Sequence, residues 1–274
     1  MTIDLTINTD LARKILTGFL KTEINRAGFT RAVINLSGGL DSAVSCALAV
    51  EALGAENVLA LRLPYRLSSP DSLEHAQLMI DQFQVQSETI EITQMVDPLI
   101  KSDPNMSKVR KGNIMARMRM IFLYDRTEIF KGLAIGTSNK TEILLGYTTL
   151  WGDMASALNP IGDLYKTQVR ELARALKIPQ VIIDKPPSAD LWEGQTDEGE
   201  LGFTYEHVDK LLYLLVDERY TQQDCIDAGF DEAFIRQVTG CIQRNQFKRI
   251  MPLIAKLSNR TVGYDFLYLR DWGT

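Results

Sequence analysis

An apolar strand passes directly into an apolar helix in the stretch AVINLSGGLDSAVSCALAV, from Ala32 to Val50. The strand pattern stops at Leu36, and a helical pattern starts at Asp41 and ends before Gly54. Two glycines, two serines and one aspartate fill the junction between the two patterns. This combination predicts a βα unit, in which the next strand lies parallel to the first after a helical crossover.

Strands and helices of this kind alternate along most of the chain. The apolar periodicity predicts strands over residues 32–36, 58–63, 88–92 and 133–136. It predicts helices over residues 9–26, 41–53, 108–130, 166–176, 204–218 and 231–246, and another that Ser69 caps and Pro70 begins. The expected fold class is α/β, a doubly wound and mostly parallel Rossmann-like sheet with helices on both faces and a helical C-terminal extension.

One long segment has no periodicity. Residues 184–203, DKPPSADLWEGQTDEGELGF, are rich in proline, glycine and acids, which is typical of a lid or a binding loop. We therefore expect a single domain over residues 1–274, with an N-terminal helix in 1–30 and a nucleotide-binding core in 31–183. A mobile active-site loop follows in 184–203, and a helical part in 204–274.

The composition excludes several classes of protein. The formal net charge is −5, whereas proteins that bind nucleic acid usually carry a basic excess, so we expect no nucleic-acid partner. The three cysteines have no CxxC spacing and the two histidines lie far apart, which disfavours a zinc site and indicates free thiols in a reducing compartment. No signal peptide and no long apolar run are visible, so we expect a cytoplasmic protein without a membrane partner.

The junction SGGLDS has the chemistry of a phosphate cradle. Ligands of open parallel sheets bind beyond the carboxyl ends of the strands, where Gly38 and Gly39 would let backbone N–H groups approach an anion. Ser37 and Ser42 add hydroxyl donors. A carboxylate would repel phosphate, but Asp41 fits the site if it holds Mg²⁺ together with phosphate oxygens.

A second group of polar residues follows a later strand. Thr137 lies in the loop beyond the strand that ends at Ile135, and Glu142 lies just inside the next helix. Since the loops beyond neighbouring parallel strands face one crevice, Glu142 could meet Asp41 across one metal ion. Lys166 begins a further helix and could neutralise charge that develops on phosphate oxygens.

These motifs carry a resemblance to a known family. SGGLDS resembles the pyrophosphate-binding loop of the ATP-pyrophosphatases, which adenylate their substrates. GTSNKTE at 136–142, a GD-containing loop, the loop 184–203 and FKRIMP at 247–252 follow in order. Together they resemble the NAD synthetase family from about residue 10 to about residue 270.

The resemblance implies a role for each of these residues. The expected catalytic residues are Asp41, Lys166 and Asp153, and the expected metal ligands are Asp41 and Glu142. The ATP-binding set comprises Ser37, Gly38, Gly39, Asp41, Ser42, Arg62, Thr137, Lys166 and Ser188. The substrate-binding set comprises Arg117, Asp153, Phe247 and Lys248. We expect Arg119, which follows Arg117 on the same helix, to be a solvated surface cation.

The resemblance also implies an activity. The chain would amidate deamido-NAD to NAD through an acyl-adenylate, with ATP as a substrate, Mg²⁺ as the metal, and AMP and pyrophosphate as products. Too few residues flank the core for a glutamine-hydrolysing domain, so the nitrogen donor would be free ammonia or ammonia from a separate glutaminase. The family further implies a homodimer, for which the apolar N-terminal helix is a candidate interface.

Two other interpretations stay open at this point. Many ammonia-dependent members have a lysine and an aspartate where this chain has Leu150 and Ala157, which keeps open an ATP-pyrophosphatase that amidates or thiolates another substrate. The second alternative is a nucleotide-sensing regulator, because residues 221–249 can be interpreted as a helix–turn–helix. Two packed helices are the more common structure for such a pair.

Overall fold

The computed structural model describes residues 3–188, 190–192 and 194–266. Within those residues one sheet of four parallel strands forms, namely β1 (Ala32–Asn35), β2 (Val58–Arg62), β3 (Gln86–Thr89) and β4 (Leu133–Ile135). The strand order is β3-β2-β1-β4, and Ala32 of β1 lies opposite Val58 on one side and Leu133 on the other. The chain therefore winds outward from β1 in both directions.

The helices alternate with these strands and then continue beyond them. Their bounds are α1 Thr9–Arg26, α2 Leu40–Leu53, α3 Pro70–Phe83, α4 Thr93–Lys101, α5 Lys108–Phe130, α6 Lys140–Leu145, α7 Lys166–Ala175, α8 Gln180–Ile183, α9 Asp197–Leu201, α10 Tyr205–Leu212, α11 Gln222–Asp227 and α12 Glu232–Arg244. In the part of the chain that the structure describes, none of them has both the length and the apolar character that a membrane span requires.

Both faces of the sheet are covered, as the sequence predicted for a doubly wound α/β fold. Ile34 of β1 packs into an apolar cluster with α1, α2, α3 and α7. The neighbouring Val33 points to the opposite face and packs with α4 and α5. This alternation follows from the two-residue period of a strand, and it buries Ala32, Val33 and Ile34 completely in the middle of the sheet.

The C-terminal helices form an apolar cluster of their own. Val208 and Leu211 of α10 and Ile235 and Val238 of α12 are buried in it, and Tyr165 joins it from the core side. Cys225 of α11 is buried in the same cluster, so α11 and α12 pack together, in agreement with the interpretation of residues 221–249 as two packed helices. The subdivision of the chain at residues 30, 183 and 203 stays a prediction.

Two predicted elements differ from the observed ones. The strand predicted over 88–92 forms over Gln86–Thr89. Because β3 is an edge strand, most of its side chains are exposed and give no apolar pattern. The apolar residues Ile90 and Ile92 follow the strand and pack with α4 and α5. The helix predicted over 204–218 is α-helical only to Leu212 and continues as a π-helical turn over Tyr213–Asp217. That turn places Asp217 against the hydroxyl of Tyr165 at 2.7 Å.

The position of β1 between β2 and β4 defines where a ligand can bind. The crossover from β1 runs to β2 on one side, whereas β4 lies on the other side of β1, so the connections diverge at the carboxyl end of β1. This divergence opens a crevice between the loops that follow β1 and β4. The junction SGGLDS and the segment GTSNKTE both lie at this crevice.

Candidate active site

The loop after β1 has a shape that only glycine permits at one position. Gly38 has φ +78°, and a Cβ atom placed on it would lie 2.0 Å from the carbonyl oxygen of Ser72 in α3. The two serine hydroxyls of the loop, on Ser37 and Ser42, lie 3.1 Å apart, and Ser42 Oγ donates to the Gly39 carbonyl at 2.9 Å. The loop is thereby fixed at the N-terminus of α2, where anions bind favourably.

A charged cluster lies beside this loop. The Lys166 ammonium donates to Asp41 Oδ2 and, at 3.1 Å, to Glu142 Oε1. Asn139 caps α6 by accepting from the Glu142 backbone N–H at 3.0 Å, and its amide donates to Asp41 Oδ1 at 3.0 Å. The motif GTSNKTE therefore places Glu142 in the first turn of α6 and positions Asp41 through the same asparagine.

The C-terminal helices fix the position of Lys166. Asp209 of α10 accepts from the Thr141 hydroxyl at 2.6 Å and from the Thr167 backbone N–H at 2.9 Å. The Thr141 hydroxyl also accepts from the Lys166 backbone N–H at 3.0 Å. The start of α7 is thus tied to α6 and α10, and the ring of Tyr205 lies 5.1 Å from the Lys166 ammonium.

Burial governs the electrostatics of the cluster. Burial raises the pKa of Glu142 to about 8, although the neighbouring Lys166 ammonium favours the carboxylate. Burial opposes the charged form of Lys166, but the carboxylates of Asp41 and Glu142 outweigh it and hold the lysine pKa above its usual value. Burial likewise raises the pKa of Asp197, whose carboxylate lies near Lys166. The cluster is rich in carboxylates and short of cationic charge.

The loop and the cluster line one cavity of about 260 Å³. The cavity is bounded by the carboxyl end of β2, the N-terminal ends of α2 and α7, the middle of α5, and the segment 184–203. Ten of the predicted site residues line it, and they are Ser37, Gly39, Asp41, Ser42, Arg62, Thr137, Glu142, Asp153, Lys166 and Ser188. Gly38 lies behind this lining, against α3.

Described residues of the segment 184–203 line the cavity. Lys185 donates to the Ser72 hydroxyl at 2.9 Å, and that hydroxyl donates to Asp190 Oδ2 at 3.0 Å. Both Asp190 oxygens also accept from the Ser69 backbone N–H at 3.0 Å. Ser69 precedes α3 as predicted, with Pro70 first in the helix, but the cap is supplied by this distant carboxylate and not by the Ser69 side chain.

Three predicted substrate-binding residues lie outside the cavity lining. Arg117 is exposed and donates to the Leu150 carbonyl at 3.1 Å. Lys248 donates to the carbonyls of Gly146 and Thr148 at 2.7 and 2.9 Å, and Phe247 is exposed. Arg117 and Lys248 thus contact the segment 146–150, and the Lys248 ammonium also interacts with the carboxylate of Asp153, which is part of the lining. Their roles toward substrate stay predictions.

The expectation for Arg119 is wrong. The side chain lines the cavity, and its Nε donates to the Leu63 carbonyl at 3.0 Å. The sequence carried a signal for this position, because Met115 and Leu123 lie four residues before and after it and both are buried against the sheet. Arg117, two residues away, necessarily faces elsewhere on the same helix. Asp190 and Asp197 also line the cavity, although the sequence analysis did not assign them to the site.

Comparison with known proteins agrees with this geometry. The sequence model of the NAD synthase family matches residues 12–252. The NH(3)-dependent NAD(+) synthetase of Chlorobium phaeovibrioides is 56% identical over 269 residues, which are 98% of this chain and 97% of that protein. Among solved structures, the NH3-dependent NAD synthetase of Campylobacter jejuni has TM-score 0.78 and 33% identity, covering 91% of this chain and 100% of that one.

A further solved structure is described as an NMN synthetase, from Francisella tularensis. It has TM-score 0.81 and 32% identity, and it covers 91% of this chain and 99% of that one. The fold and its likeness to solved NAD synthetases define an α/β protein of the ATP-pyrophosphatase class. Within that class, the chain belongs to the NAD synthase family.

Proposed function

We propose that this chain catalyses the ATP-dependent amidation of deamido-NAD to NAD, with ammonia as the nitrogen donor. The observation that carries the proposal is the Asp41–Lys166–Glu142 cluster beside the Gly38 loop, at the point where the sheet connections diverge. It belongs to a chain that shares 56% identity with an NH(3)-dependent NAD(+) synthetase over nearly its full length. The enzyme is accordingly a ligase that forms a C–N bond.

The reaction has two steps whose atoms balance. In the first, an oxygen of the nicotinate carboxylate forms a bond to the α-phosphorus of ATP, and the bond from that phosphorus to pyrophosphate breaks. In the second, ammonia forms a bond to the carboxyl carbon, the bond to AMP breaks, and the nitrogen loses a proton. Because charge moves among phosphate oxygens, positioning and electrostatic stabilisation supply most of the catalysis.

The cavity offers groups for each part of ATP. Ser37, Gly38, Gly39 and Ser42 would cradle the β- and γ-phosphates, since their loop opens at a helix N-terminus. Lys166 would stabilise charge that develops on the phosphate oxygens. Arg62, Thr137 and Ser188 line the same cavity and would contact the rest of the nucleotide.

Asp41 and Glu142 would hold Mg²⁺. They are two partly buried carboxylates that both pair with the Lys166 ammonium, and burial raises the pKa of Glu142. Within the described residues no three His, Cys, Asp or Glu side chains converge as a metal site. A donor set of two carboxylates suits Mg²⁺, which takes its other ligands from substrate phosphates and water. Bound there, the ion would neutralise phosphate charge.

The segment 184–203 would protect the acyl-adenylate from water. Its described residues line the cavity, and its Asp190 and Lys185 are hydrogen-bonded to the first turn of α3. A closed lid prevents hydrolysis of a reactive intermediate and strengthens the electrostatic interactions inside the site. Asp153, which lines the cavity beside Lys248, would contact the acceptor substrate together with Arg117, Phe247 and Lys248.

We further propose that the chain acts as a cytoplasmic homodimer. Leu11, Ile15 and Phe19 recur every four residues on α1 and are exposed, whereas Leu20 and Ile24 of the same helix are buried against the core. A helix with an unpaired apolar stripe in addition to its core-facing one supports an interface with a second copy. Ammonia would come from solution or from a separate glutaminase.

The direct test is an assay of purified protein with Mg-ATP, deamido-NAD and either ammonium or glutamine. We expect equal amounts of AMP, pyrophosphate and NAD with ammonium, and no NAD with glutamine alone. Nicotinate mononucleotide should be supplied as a competing acceptor, because a structural neighbour is described as an NMN synthetase. A strong preference for the mononucleotide would contradict the proposed acceptor.

The Asp41→Asn variant tests the site itself. It keeps the size of the side chain but removes the charge that pairs with Lys166 and would bind the metal. We expect turnover to fall by about 10²- to 10³-fold, as for other losses of electrostatic stabilisation at a reacting centre. Asp163→Asn, a change at an exposed carboxylate outside the lining, is the matched control. Near-normal turnover by Asp41→Asn would exclude this cavity as the active site.

A further inference from the structure

The cations that line the cavity differ in what they contact. Four of them already donate to side chains, and these are Arg62 to Gln77, Lys166 to Asp41 and Glu142, Arg170 to Glu206, and Lys185 to Ser72. Arg119 is different. Its Nε donates to the Leu63 carbonyl, and among the described residues neither of its terminal nitrogens has a hydrogen-bond acceptor.

The surroundings of Arg119 hold the side chain in place. It lies between the buried residues Met115 and Leu123 on α5, and its Nε is anchored to the backbone one residue past the end of β2. Desolvation lowers the pKa of the guanidinium, and the carboxylates of Asp190 and Asp153 act in the opposite direction. An arginine stays protonated in proteins, so the cavity contains a fixed, positively charged pair of donors.

The chemistry of the reaction indicates what the two terminal nitrogens of Arg119 bind. The attacking group is a carboxylate that must approach a triphosphate in a cavity already lined by Asp153 and Asp190. That approach is electrostatically unfavourable unless a cation accompanies it. A planar guanidinium with two free donors matches a carboxylate in a bidentate manner. The triphosphate would have its own groups in the Gly38 loop and Lys166.

We propose that Arg119 binds the carboxylate of the acceptor substrate and thereby distinguishes the acid substrate from the amide product. This inference rests on the proposed function of the cavity. The product carries a neutral amide in place of the carboxylate, so it loses the ionic part of the contact and leaves the site more readily. Arg119 is thus assigned as a specificity-determining residue that contacts the reacting group of the substrate.

The experiment compares the affinities for deamido-NAD and NAD, measured by calorimetry with α,β-methylene-ATP present. The wild-type protein should prefer the acid, and Arg119→Gln should weaken acid binding by about 10- to 100-fold while amide binding changes by less than about threefold, because only the charged contact is lost. The affinity for the ATP analogue should stay the same. Arg110→Gln, at an exposed position of α5, is the matched control.

Two results would overturn the inference. One is an acid-to-amide affinity ratio in Arg119→Gln equal to that of the wild type, and the other is an equal loss of affinity for all three ligands, which would indicate a structural role. If Arg119→Gln does not fold, Arg119→Lys replaces it. Lysine keeps the charge but lacks the paired planar donors, so the acid-to-amide affinity ratio should fall by at least about threefold. An unchanged ratio again overturns the inference.

The outcome is distinguishable from a failure of the proposed active site. If Asp41→Asn loses adenylation while Arg119→Gln keeps the wild-type affinity ratio, only the role of Arg119 is wrong. If Asp41→Asn retains turnover, the cavity is not the active site, and both conclusions are wrong.

Discussion

The Ser72 hydroxyl donates to the carboxylate of Asp190 at 3.0 Å, which joins the segment over the cavity to the first turn of α3. The backbone carbonyl of the same Ser72 is the atom that a side chain at Gly38 would meet. One turn of helix therefore contacts both the loop around Gly38 and the segment that carries Asp190.

Removal of the Asp190 carboxylate should loosen the lid. We expect Asp190→Ala to raise the open population by about tenfold, since hydrogen bonds to a charged group contribute roughly 1.5–3 kcal/mol. Water would then reach the acyl-adenylate, so more AMP than NAD should form. The measurement is the ratio of AMP to NAD at limiting ammonium, together with the rate of limited proteolysis within residues 184–203.

Asp184→Ala is the control for that experiment. Asp184 stands at the start of the same segment, but it is exposed and accepts from Gln180 of α8. Its removal should leave the AMP-to-NAD ratio at one. An Asp190→Ala enzyme that still forms equal amounts of AMP and NAD would mean that this hydrogen bond does not close the lid.

The two glycines of the loop SGGLDS should respond differently to alanine. At Gly38 the added Cβ meets the Ser72 carbonyl oxygen at 2.0 Å and the backbone has φ +78°, whereas at Gly39 the nearest atom is Ser37 Oγ at 3.4 Å. We expect Gly38→Ala to lower the free energy of unfolding by about 1–3 kcal/mol and to abolish ATP binding. Gly39→Ala should stay within about 1 kcal/mol of the wild type.

Urea unfolding and binding of an ATP analogue provide the measurements for this pair. The two variants carry the same added methyl group one residue apart, so each is the control for the other. Equal stabilities would contradict the close contact between Gly38 and α3.

Stability without divalent metal should fall as the pH rises. Burial raises the pKa of Glu142 from 4.5 to about 8, so between these values the folded protein retains a proton that the unfolded chain releases. Stability therefore decreases from about pH 5 to about pH 8, and Glu142→Gln should flatten this dependence by about 1 kcal/mol or more. The measurement is urea unfolding in EDTA across that range.

Glu206→Gln, a change at an exposed carboxylate, is the control for the pH series and should keep the wild-type slope. Metal binding provides a second readout, because Mg²⁺ held as proposed would require the ionised form of Glu142 and should release protons below about pH 8. A wild-type slope in Glu142→Gln would show that another group titrates.

A charge on the exposed stripe of α1 should dissociate the proposed homodimer. Ile15 is 57% exposed at the centre of the stripe, between Leu11 and Phe19. We expect Ile15→Glu to shift the protein to monomer, with a dissociation constant raised by about 100-fold, because an unpaired charge is costly in an apolar interface. Sedimentation velocity measures the change, and Lys14→Glu is the control on the same helix. A dimeric Ile15→Glu protein would place the interface elsewhere.

The α/β fold and much of the site could be predicted from the sequence. Asp41, Thr137, Glu142 and Lys166 each stand at the start of a helix or just beyond a strand, and parallel strands bring such positions to one edge of a sheet. Their convergence in one cavity follows from that rule. The strand and helix bounds follow from periodicity, with errors where the edge strand β3 exposes its side chains.

Other contacts could not be predicted, because they depend on how distant elements pack. Lys166 and Asp41 are 125 residues apart, and the orientation of Lys166 depends further on Asp209 in α10. Asp190 caps a helix that starts about 120 residues before it, in place of the serine at the cap position. No local pattern in the sequence encodes these pairings.

The sequence by itself determined the chemistry that this protein can perform, through a strand, a glycine loop and a helix whose conformations depend on neighbouring residues. The tertiary structure decided which charged groups lie together. It placed the Arg119 side chain in the cavity lining and brought Asp41 and Glu142 to Lys166 as hydrogen-bond acceptors. The physical reason is that backbone conformation is set by short-range sterics and periodic burial, whereas the partner of a long charged side chain is set by packing between elements far apart in the chain.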